Sequence, residues 1–255
     1  MKIFINKTLI SVFGGLIITT AVQAQDMPPG AIVSYVDCNF RAGVDMEETV
    51  RWGRNASRND WAANQIFYRQ PLVKPNGYEH DFRIARYYSS WSEYIERSEE
   101  IYTASLDSAP ARQRPSVTRT DIMDCDPATR RIIRVRNVPG GAPPSDETLM
   151  TTRFCRLNEG RTLQDAWQRI NHIASNWQSQ GDDTLMQLTH RAIGPGNNDT
   201  VQGRQYVMTE VGETASSIAA RWDMGREGFD ARQGSEPVSE CNYRALWRTY
   251  RIYQR

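Results

Sequence analysis

Lysine and histidine are scarce in this 255-residue chain, and neither sign of charge is in excess. After residue 25 the only lysine is Lys74, so almost every positive charge there is an arginine. Without Lys2 and Lys7 the chain has 29 basic residues against 30 acidic ones, a net charge of −1. A chain without a basic excess has no general field that attracts nucleic acid. The composition therefore argues against a nucleic-acid-binding protein.

The common motifs of catalysis and cofactor binding are also absent. No HxH, HExxH, GxSxG, P-loop or dinucleotide-binding pattern occurs. Asp121, Asp124 and Asp126 form a short acidic run that resembles calcium ligands. It lacks the glycine and the final glutamate of an EF-hand, so turn and capping roles explain it better. The sequence predicts neither a metal site nor a cofactor.

The only long apolar run lies at the N-terminus. Lys2 and Lys7 are followed by the uncharged segment 9–21 and by the small or moderate residues 22–24. This order is typical of a secretory signal peptide, and the run is short for a membrane span. We therefore predict a signal peptide over residues 1–24 and a soluble, exported mature chain, periplasmic or extracellular, that starts near Gln25 with no membrane span. A retained N-terminal anchor is the alternative.

Four cysteines recur at nearly one period. Cys38 and Cys155 are 117 residues apart, and Cys125 and Cys241 are 116 apart. An even number of cysteines in an exported chain indicates disulfide bonds, and four cysteines allow three pairings. The period favours Cys38 with Cys125 and Cys155 with Cys241. A catalytic or metal-binding thiol set would need CxxC spacing or a nearby histidine, and the chain has neither.

The segments between the cysteines predict the same order of elements twice. In the first half we expect a strand over 31–40, a helix capped by Asp45, a hairpin of strands 66–73 and 78–88, a helix capped by Ser90, and a closing strand over 131–137. In the second half we expect a strand over 149–157, a helix capped by Thr162, a hairpin of strands 185–193 and 205–211, a helix from Ala215, and a last strand over 243–253. The order is βαββαβ in each half. We predict two units, 25–137 and 148–255, joined by a Pro/Gly linker over 138–147.

A βαββαβ unit with both helices on one sheet face is the ferredoxin-like plait. Two such units in tandem, with their sheets facing each other and one disulfide each, are similar to the dimeric α/β barrel superfamily, which includes the antibiotic-biosynthesis monooxygenase type. The resemblance covers residues 31–253 and rests on the element order and on the repeated C-x4-G start at Cys38 and Cys155. It implies a monomer that contains a pseudo-dimer, with a pocket between the sheets. Some members of this superfamily are cofactor-free oxygenases and others degrade haem.

Side-chain alternation predicts which residues face such a pocket. On the first strand Tyr35, Asp37 and Asn39 share one face, while the more apolar opposite face, which carries Cys38, suits the helices. The matching positions in the second half are Phe154 and Arg156. The closing strand adds Arg134 and Arg136, or their opposite neighbours. These residues suit a small polar or anionic ligand, although they would also suit pairing with one another across the interface.

Two functions remain open. The sequence favours a non-catalytic exported protein that uses the inter-sheet face to bind a small ligand or another envelope protein. The alternative is a cofactor-independent enzyme of the barrel type that acts on a small aromatic or quinone-like substrate. In that case Tyr35, Asp37 or His80 would be the acid or base.

Overall fold

The computed structural model describes residues 26–56, 63–97, 119–194 and 203–255; the predicted signal peptide lies outside them. The strands are β1 Ala31–Phe40, β2 Gln65–Val73, β3 Phe82–Tyr88, β4 Met123–Asn137, β5 Glu147–Leu157, β6 Leu185–Ile193, β7 Gln205–Val211, β8 Ser239–Cys241 and β9 Ala245–Gln254. The helices are α1 Met46–Asn55, α2 with helical residues 91–97, α3 Arg119–Ile122, α4 Leu163–Gln178 and α5 Ala215–Arg226. No helix in this described part of the chain is both long and apolar enough to cross a membrane.

Eight of the strands form one closed antiparallel barrel. Their order is β7-β6-β4-β1-β3-β2-β9-β5, and β5 pairs with β7, which closes the ring. The short β8 pairs with the end of β5. The expectation of two tandem ferredoxin-like units with separate, facing sheets is therefore wrong. The strands that would have been free edges of such sheets pair with each other, β4 with β6 and β2 with β9, which removes exposed backbone donors and acceptors.

The barrel wall separates two kinds of apolar packing. Outside, one cluster packs the barrel against α1 and a second packs it against α4. Inside, smaller clusters fill parts of the lumen. The faces predicted for β1 are confirmed, since Val33 and Tyr35 belong to an inner cluster while Ile32 and Cys38 belong to the outer one.

The predicted helix starts are also confirmed. Asp45 caps α1 by accepting a hydrogen bond from the backbone N of Glu48 at 2.9 Å. Thr162 caps α4 in a capping box with Asp165. The apolar stripe of α4 is buried, with Ala166, Trp167, Ile170, Ile173, Ala174 and Trp177 against the barrel. Caps satisfy the first backbone donors, and the stripe then holds the helix in place.

Both predicted disulfides are present, Cys38 with Cys125 and Cys155 with Cys241. Each bond joins residues directly opposite on neighbouring antiparallel strands, β1 with β4 and β5 with β8. Because the sheet is continuous, neither bond belongs to an independent unit. Each one ties two strands of the same barrel wall.

The starts of β3 and β4 differ most from the prediction. The strand expected over 78–88 begins only at Phe82, and residues 78–81 form a loop. This loop places Tyr78 in a cluster with Met150, Leu185 and Trp247 inside the barrel. The closing strand predicted over 131–137 begins earlier, at Met123. Tertiary pairing with β1 extends it through a polar stretch that has little strand propensity of its own.

Candidate ligand-binding site in the barrel lumen

One end of the barrel encloses a cavity of about 120 Å3, called the lumen cavity below. Its charged wall consists of four arginines, Arg69, Arg83, Arg131 and Arg191. Its apolar and aromatic wall includes Tyr35, Ile133, Met150, Phe154, Val207 and Trp247. Pockets that combine apolar walls with a few convergent polar groups are typical ligand sites.

Asp37 organises two of these arginines. Its Oδ1 accepts a hydrogen bond from Nε of Arg83 at 2.6 Å, and its Oδ2 accepts one from Nη1 of Arg131 at 3.1 Å. Tyr78 donates a longer hydrogen bond to Oδ1 at 3.4 Å. The Asp37 side chain is only 5% exposed. A buried carboxylate held by several donors fixes the guanidinium groups that surround it.

Arg69 is held by tyrosines instead of acids. Its Nη1 donates to the hydroxyl of Tyr35 and its Nη2 to the hydroxyl of Tyr87, each at 2.5 Å. The residue is 6% exposed, and its Nε is buried without a hydrogen-bond partner in the described part of the chain. A buried guanidinium with neutral partners keeps an uncompensated positive charge.

Aromatic rings surround Arg83. Its guanidinium carbon lies 5.1 Å from the ring centres of Tyr35, Tyr78 and Trp247. Ring faces attract a cation, and they confine its position without neutralising its charge. The indole Nε1 of Trp247 donates to Oγ1 of Thr152 at 3.0 Å, which fixes that ring in turn.

The charges around the lumen cavity do not balance. Among the described residues, Asp37 is the only carboxylate paired with any of the four arginines, and it pairs with Arg83 and Arg131. Burial lowers the pKa of Arg131, and the nearby charge of Arg83 lowers it further. The pKa of Arg191 is lowered by the same two causes, burial first and then Arg83. Four guanidinium groups against one carboxylate make the cavity a positive environment that favours an anion.

The acidic and phenolic groups of this cluster are poorly suited to take up protons at neutral pH. Burial acts to raise the pKa of Asp37, but Arg83 and Arg131 outweigh it, so the pKa lies below its usual value. Burial raises the pKa of Tyr78, and it raises that of Tyr87 to about 12 although Arg69 opposes the shift. Asp37 is therefore ionised and both phenols are protonated at pH 7.

His190 also borders the lumen cavity. Its Nδ1 lies 2.9 Å from Nη1 of Arg136, which marks Nδ1 as an acceptor and the ring as neutral. Burial, Arg136 and Arg134 lower its pKa to about 4. A general base for neutral pH needs a pKa near 7, so His190 is a weak candidate for that role.

A larger cavity of about 550 Å3 occupies the opposite end of the lumen. Arg69 and Met150 line both cavities. Residues of the 138–144 segment, which we predicted as a linker, form part of the wall of the larger one. The lumen is thus divided near Arg69 and its two tyrosines.

The structure places the sequence-predicted pocket residues in different environments. Tyr35 and Phe154 line the lumen cavity, and Asp37 lies beside it on two of its arginines. Asn39 is exposed at the end of β1, where its Oδ1 accepts a hydrogen bond from the backbone N of Asp81. Arg156 is exposed near the end of β5. The alternation was therefore informative in the middle of the strands and not at their ends.

Arg134, which we predicted to line the pocket, does not lie in it. It lies on the outer face of β4, with its guanidinium carbon 5.9 Å from the ring centre of Trp91, and the inner positions of that strand belong to its neighbours Arg131 and Ile133. His80, the proposed acid or base, lies in the loop before β3. Its Nε2 is 4.0 Å from Asp126 and its Nδ1 is buried without a partner among the described residues.

Sequence reasoning missed most of the arginine cluster. Arg69 and Arg83 lie on β2 and β3. For these two strands we predicted no inward-facing residues from the sequence. Extending the side-chain alternation to them would have placed Arg69 with Phe67, and Arg83 with Ala85 and Tyr87, on one face of each strand. That Arg191 of β6 joins the same cavity follows only from the β4–β6 pairing, for which the sequence carries no local signal.

The chain is similar to known proteins only in its fold. No family model and no curated protein matches the chain. Among solved structures, an anthrone oxidase-like protein is similar at 12% identity and a TM-score of 0.46, covering 91% of this chain and 96% of that one. A "putative monooxygenase" from Lactobacillus acidophilus NCFM is similar at 7% identity and a TM-score of 0.49, covering 88% of this chain and 95% of that one. A third, from Fusobacterium nucleatum, has 8% identity and a TM-score of 0.47, covering 89% of this chain and 94% of that one.

The three solved structures are similar to this chain in fold alone. At such low identities and with TM-scores below 0.5, they carry no conclusion on what this chain binds or catalyses.

Proposed function

We propose that this protein binds a small organic anion with an apolar body, such as a single-ring aromatic carboxylate, in the lumen cavity. The observation that carries the proposal is the set of four arginines around a cavity where Asp37 is the one carboxylate among the described contacts. A guanidinium binds a carboxylate through paired hydrogen bonds, and aromatic walls suit a flat apolar body. The cavity of about 120 Å3 is smaller than the cavity of about 150 Å3 that admits benzene in an engineered protein, so it limits the apolar body to one ring at most.

The proposed role is binding without catalysis. Acid–base catalysis needs a group that is free to exchange a proton near the operating pH. Asp37 is engaged by Arg83, Arg131 and Tyr78, and its pKa is lowered, which suits an orienting role. In the proposal, Asp37 therefore positions the arginines that contact the anion.

We also propose that the protein is located outside the cytoplasm. Two disulfides support this location, because such bonds persist in oxidising compartments. The apolar N-terminal segment that we interpret as a signal peptide supports it as well.

Isothermal titration with benzoate and with benzamide at low salt tests the site. The two molecules have nearly the same shape and differ in charge. Benzoate is expected to bind, with benzamide at least tenfold weaker, since about 1.4 kcal/mol of ion pairing corresponds to tenfold in affinity. Arg191→Gln is expected to weaken the binding of benzoate by a similar factor. Arg191 is a suitable target because it has no part in the Asp37 network.

Arg134→Gln is the matched control. It removes the same charge from the outer face of β4, where Arg134 lies by Trp91, and it is expected to leave benzoate binding unchanged. Equal affinities for benzoate and benzamide, or equal losses in the two variants, would show that the lumen arginines do not select the ligand. Absence of benzoate binding to the folded protein would exclude this ligand class.

A further inference from the structure

A third cavity lies on the outer face of the barrel, between the wall, α4, α5 and the segment after α5. We call it the outer cleft. Its volume is about 600 Å3, within the range of small-molecule sites. Its apolar and aromatic lining consists of Ile173, Trp177, Met208, Trp222, Phe229 and Ala231. Trp222 is 40% exposed, so part of its indole ring is accessible to a ligand.

The floor of the outer cleft contains a buried ionic network. Arg221 of α5 is 1% exposed and donates from Nε to Oδ2 of Asp182 at 2.8 Å. Its Nη1 lies 3.4 Å from Oε1 of Glu210, and Nε of Arg244 lies 3.4 Å from Oε2 of the same residue. Two arginines and two acids are therefore matched. At the rim, Arg232 and Asp230 form another pair at 2.8 Å.

Arg153 is the arginine of the cleft that has no ion-pair partner among the described residues. It belongs to β5, opposite Met208 of β7, and lines the cleft. Its Nε is buried without a hydrogen-bond partner in the described part of the chain. The three acids of the cleft, Asp182, Glu210 and Asp230, already pair with other arginines. Burial lowers the pKa of Arg153, and the charge of Arg244 adds to that effect, while the shared Glu210 opposes it without reversing it.

A half-buried, unmatched guanidinium destabilises the free protein and is relieved by an anion. Because the other charges of the cleft are matched, a single negative charge completes the balance. The remaining wall is apolar and aromatic and is much larger than a carboxylate needs.

We infer that the outer cleft is a second binding site, for an amphipathic monocarboxylate whose carboxylate contacts Arg153 and whose apolar part packs against Trp222 and Phe229. This site is separated from the lumen cavity by the barrel wall. It requires no contribution from the lumen arginines.

The test uses two pairs of probes, octanoate with octanol and N-acetylphenylalanine with its amide. Binding is measured by isothermal titration and by the shift of the Trp222 indole N–H signal, assigned by comparison with Trp222→Phe. At least one carboxylate is expected to bind and to shift that signal, with its neutral counterpart at least tenfold weaker. Which carboxylate binds distinguishes an alkyl chain from an aromatic amino-acid derivative as the apolar part.

Two variants of the cleft and one of the lumen make the test specific. Arg153→Gln is expected to weaken the binding of the carboxylate probe at least tenfold. Gly225→Leu is expected to abolish binding by filling the cleft, because a Cβ at Gly225 meets no atom within 4 Å. It keeps Arg153 and remains informative if Arg153→Gln folds poorly. Arg191→Gln is expected to leave cleft binding unchanged.

Three results would overturn the inference. They are equal binding of a carboxylate and its neutral counterpart, wild-type binding in folded Arg153→Gln or Gly225→Leu, and no binding of either carboxylate. Failure of benzoate to bind in the lumen would leave the cleft results unaffected, so the two proposals fail separately.

Discussion

At the scale of single residues, Asp37 has the most consequential environment. Its carboxylate holds two partly buried arginines, Arg83 and Arg131, whose side chains are 13% and 14% exposed. Removing one partner of a buried ion pair leaves the other charge without compensation, which costs more than the pair itself contributes. Asp37 is therefore a structural requirement of the lumen cavity as well as the residue that positions its arginines.

We expect Asp37→Asn to lower the free energy of unfolding by about 3–5 kcal/mol, measured by urea denaturation at pH 7. The amide keeps the shape but loses the charge that compensates Arg83 and Arg131.

Asp223→Asn is the matched control for that measurement. Asp223 and its partner Arg226 have side chains 65% and 77% exposed, so their pairing is screened by water and no measurable loss is expected. A loss in Asp37→Asn no larger than in this control would show that Arg83 and Arg131 are compensated by other means.

At the scale of elements, α1 and α5 each contain a glycine near the C-terminal end, for opposite reasons. A Cβ at Gly53 would lie 2.9 Å from Cε2 of Tyr68 and 3.0 Å from Cγ2 of Ile252. Gly53 thus allows α1 to approach the barrel closely. A Cβ at Gly225 meets nothing within 4 Å, so in α5 the glycine leaves the outer cleft open.

The Gly→Ala substitutions at Gly53 and Gly225 are therefore expected to change the free energy of unfolding in opposite directions. Gly225→Ala should raise the free energy of unfolding by about 0.5 kcal/mol, because alanine restricts the unfolded chain. Gly53→Ala should lower it by about 1–3 kcal/mol, because the helix must move away from the barrel. Thermal and urea unfolding of both variants measure the difference. Stabilisation by Gly53→Ala would indicate that α1 can shift without loss of packing.

At the scale of the whole molecule, the closed sheet couples the two halves of the chain. The β4–β6 and β2–β9 pairings run along much of the strands involved, and β5–β7 completes the ring. If one half unfolded alone, the other would expose two strand edges and the interior of the barrel. Such a state is costly, since buried backbone groups need partners.

We therefore expect a single unfolding transition, with calorimetric and van't Hoff enthalpies that agree. Ile170→Val in α4, a buried position of the second half, should lower the stability by about 0.5–1.5 kcal/mol and shift the transition as a whole. Near-UV and far-UV circular dichroism should give the same midpoint. Two calorimetric peaks, or probes that separate in the variant, would mean that the halves unfold independently.

Local features could be predicted from the sequence because their causes are local. The caps Asp45 and Thr162, the apolar stripe of α4 and the two faces of β1 depend on neighbours along the chain. The disulfide pairing was predictable from the spacing of the four cysteines. Tyr35 and Phe154 were placed on the face that lines the lumen cavity for the same reason, the alternation of side chains along a strand.

The barrel itself and the complete sites were decided by tertiary structure. Alternation shows which face of a strand is buried but not which strand lies beside it, so two facing sheets and one closed barrel predict the same local pattern. Closure brings Arg191 of β6 next to Arg131 and Ile133 of β4. At the outer cleft, Arg153 has no ion-pair partner among the described residues, because Glu210 pairs with Arg221 and Arg244. The sequence by itself determined the order of the main strands and helices, most of their bounds, and the cysteine pairs. Only the pairing of distant strand edges determined where the arginines meet, because hydrogen bonding between edges depends on their positions in space and not on their distance along the chain.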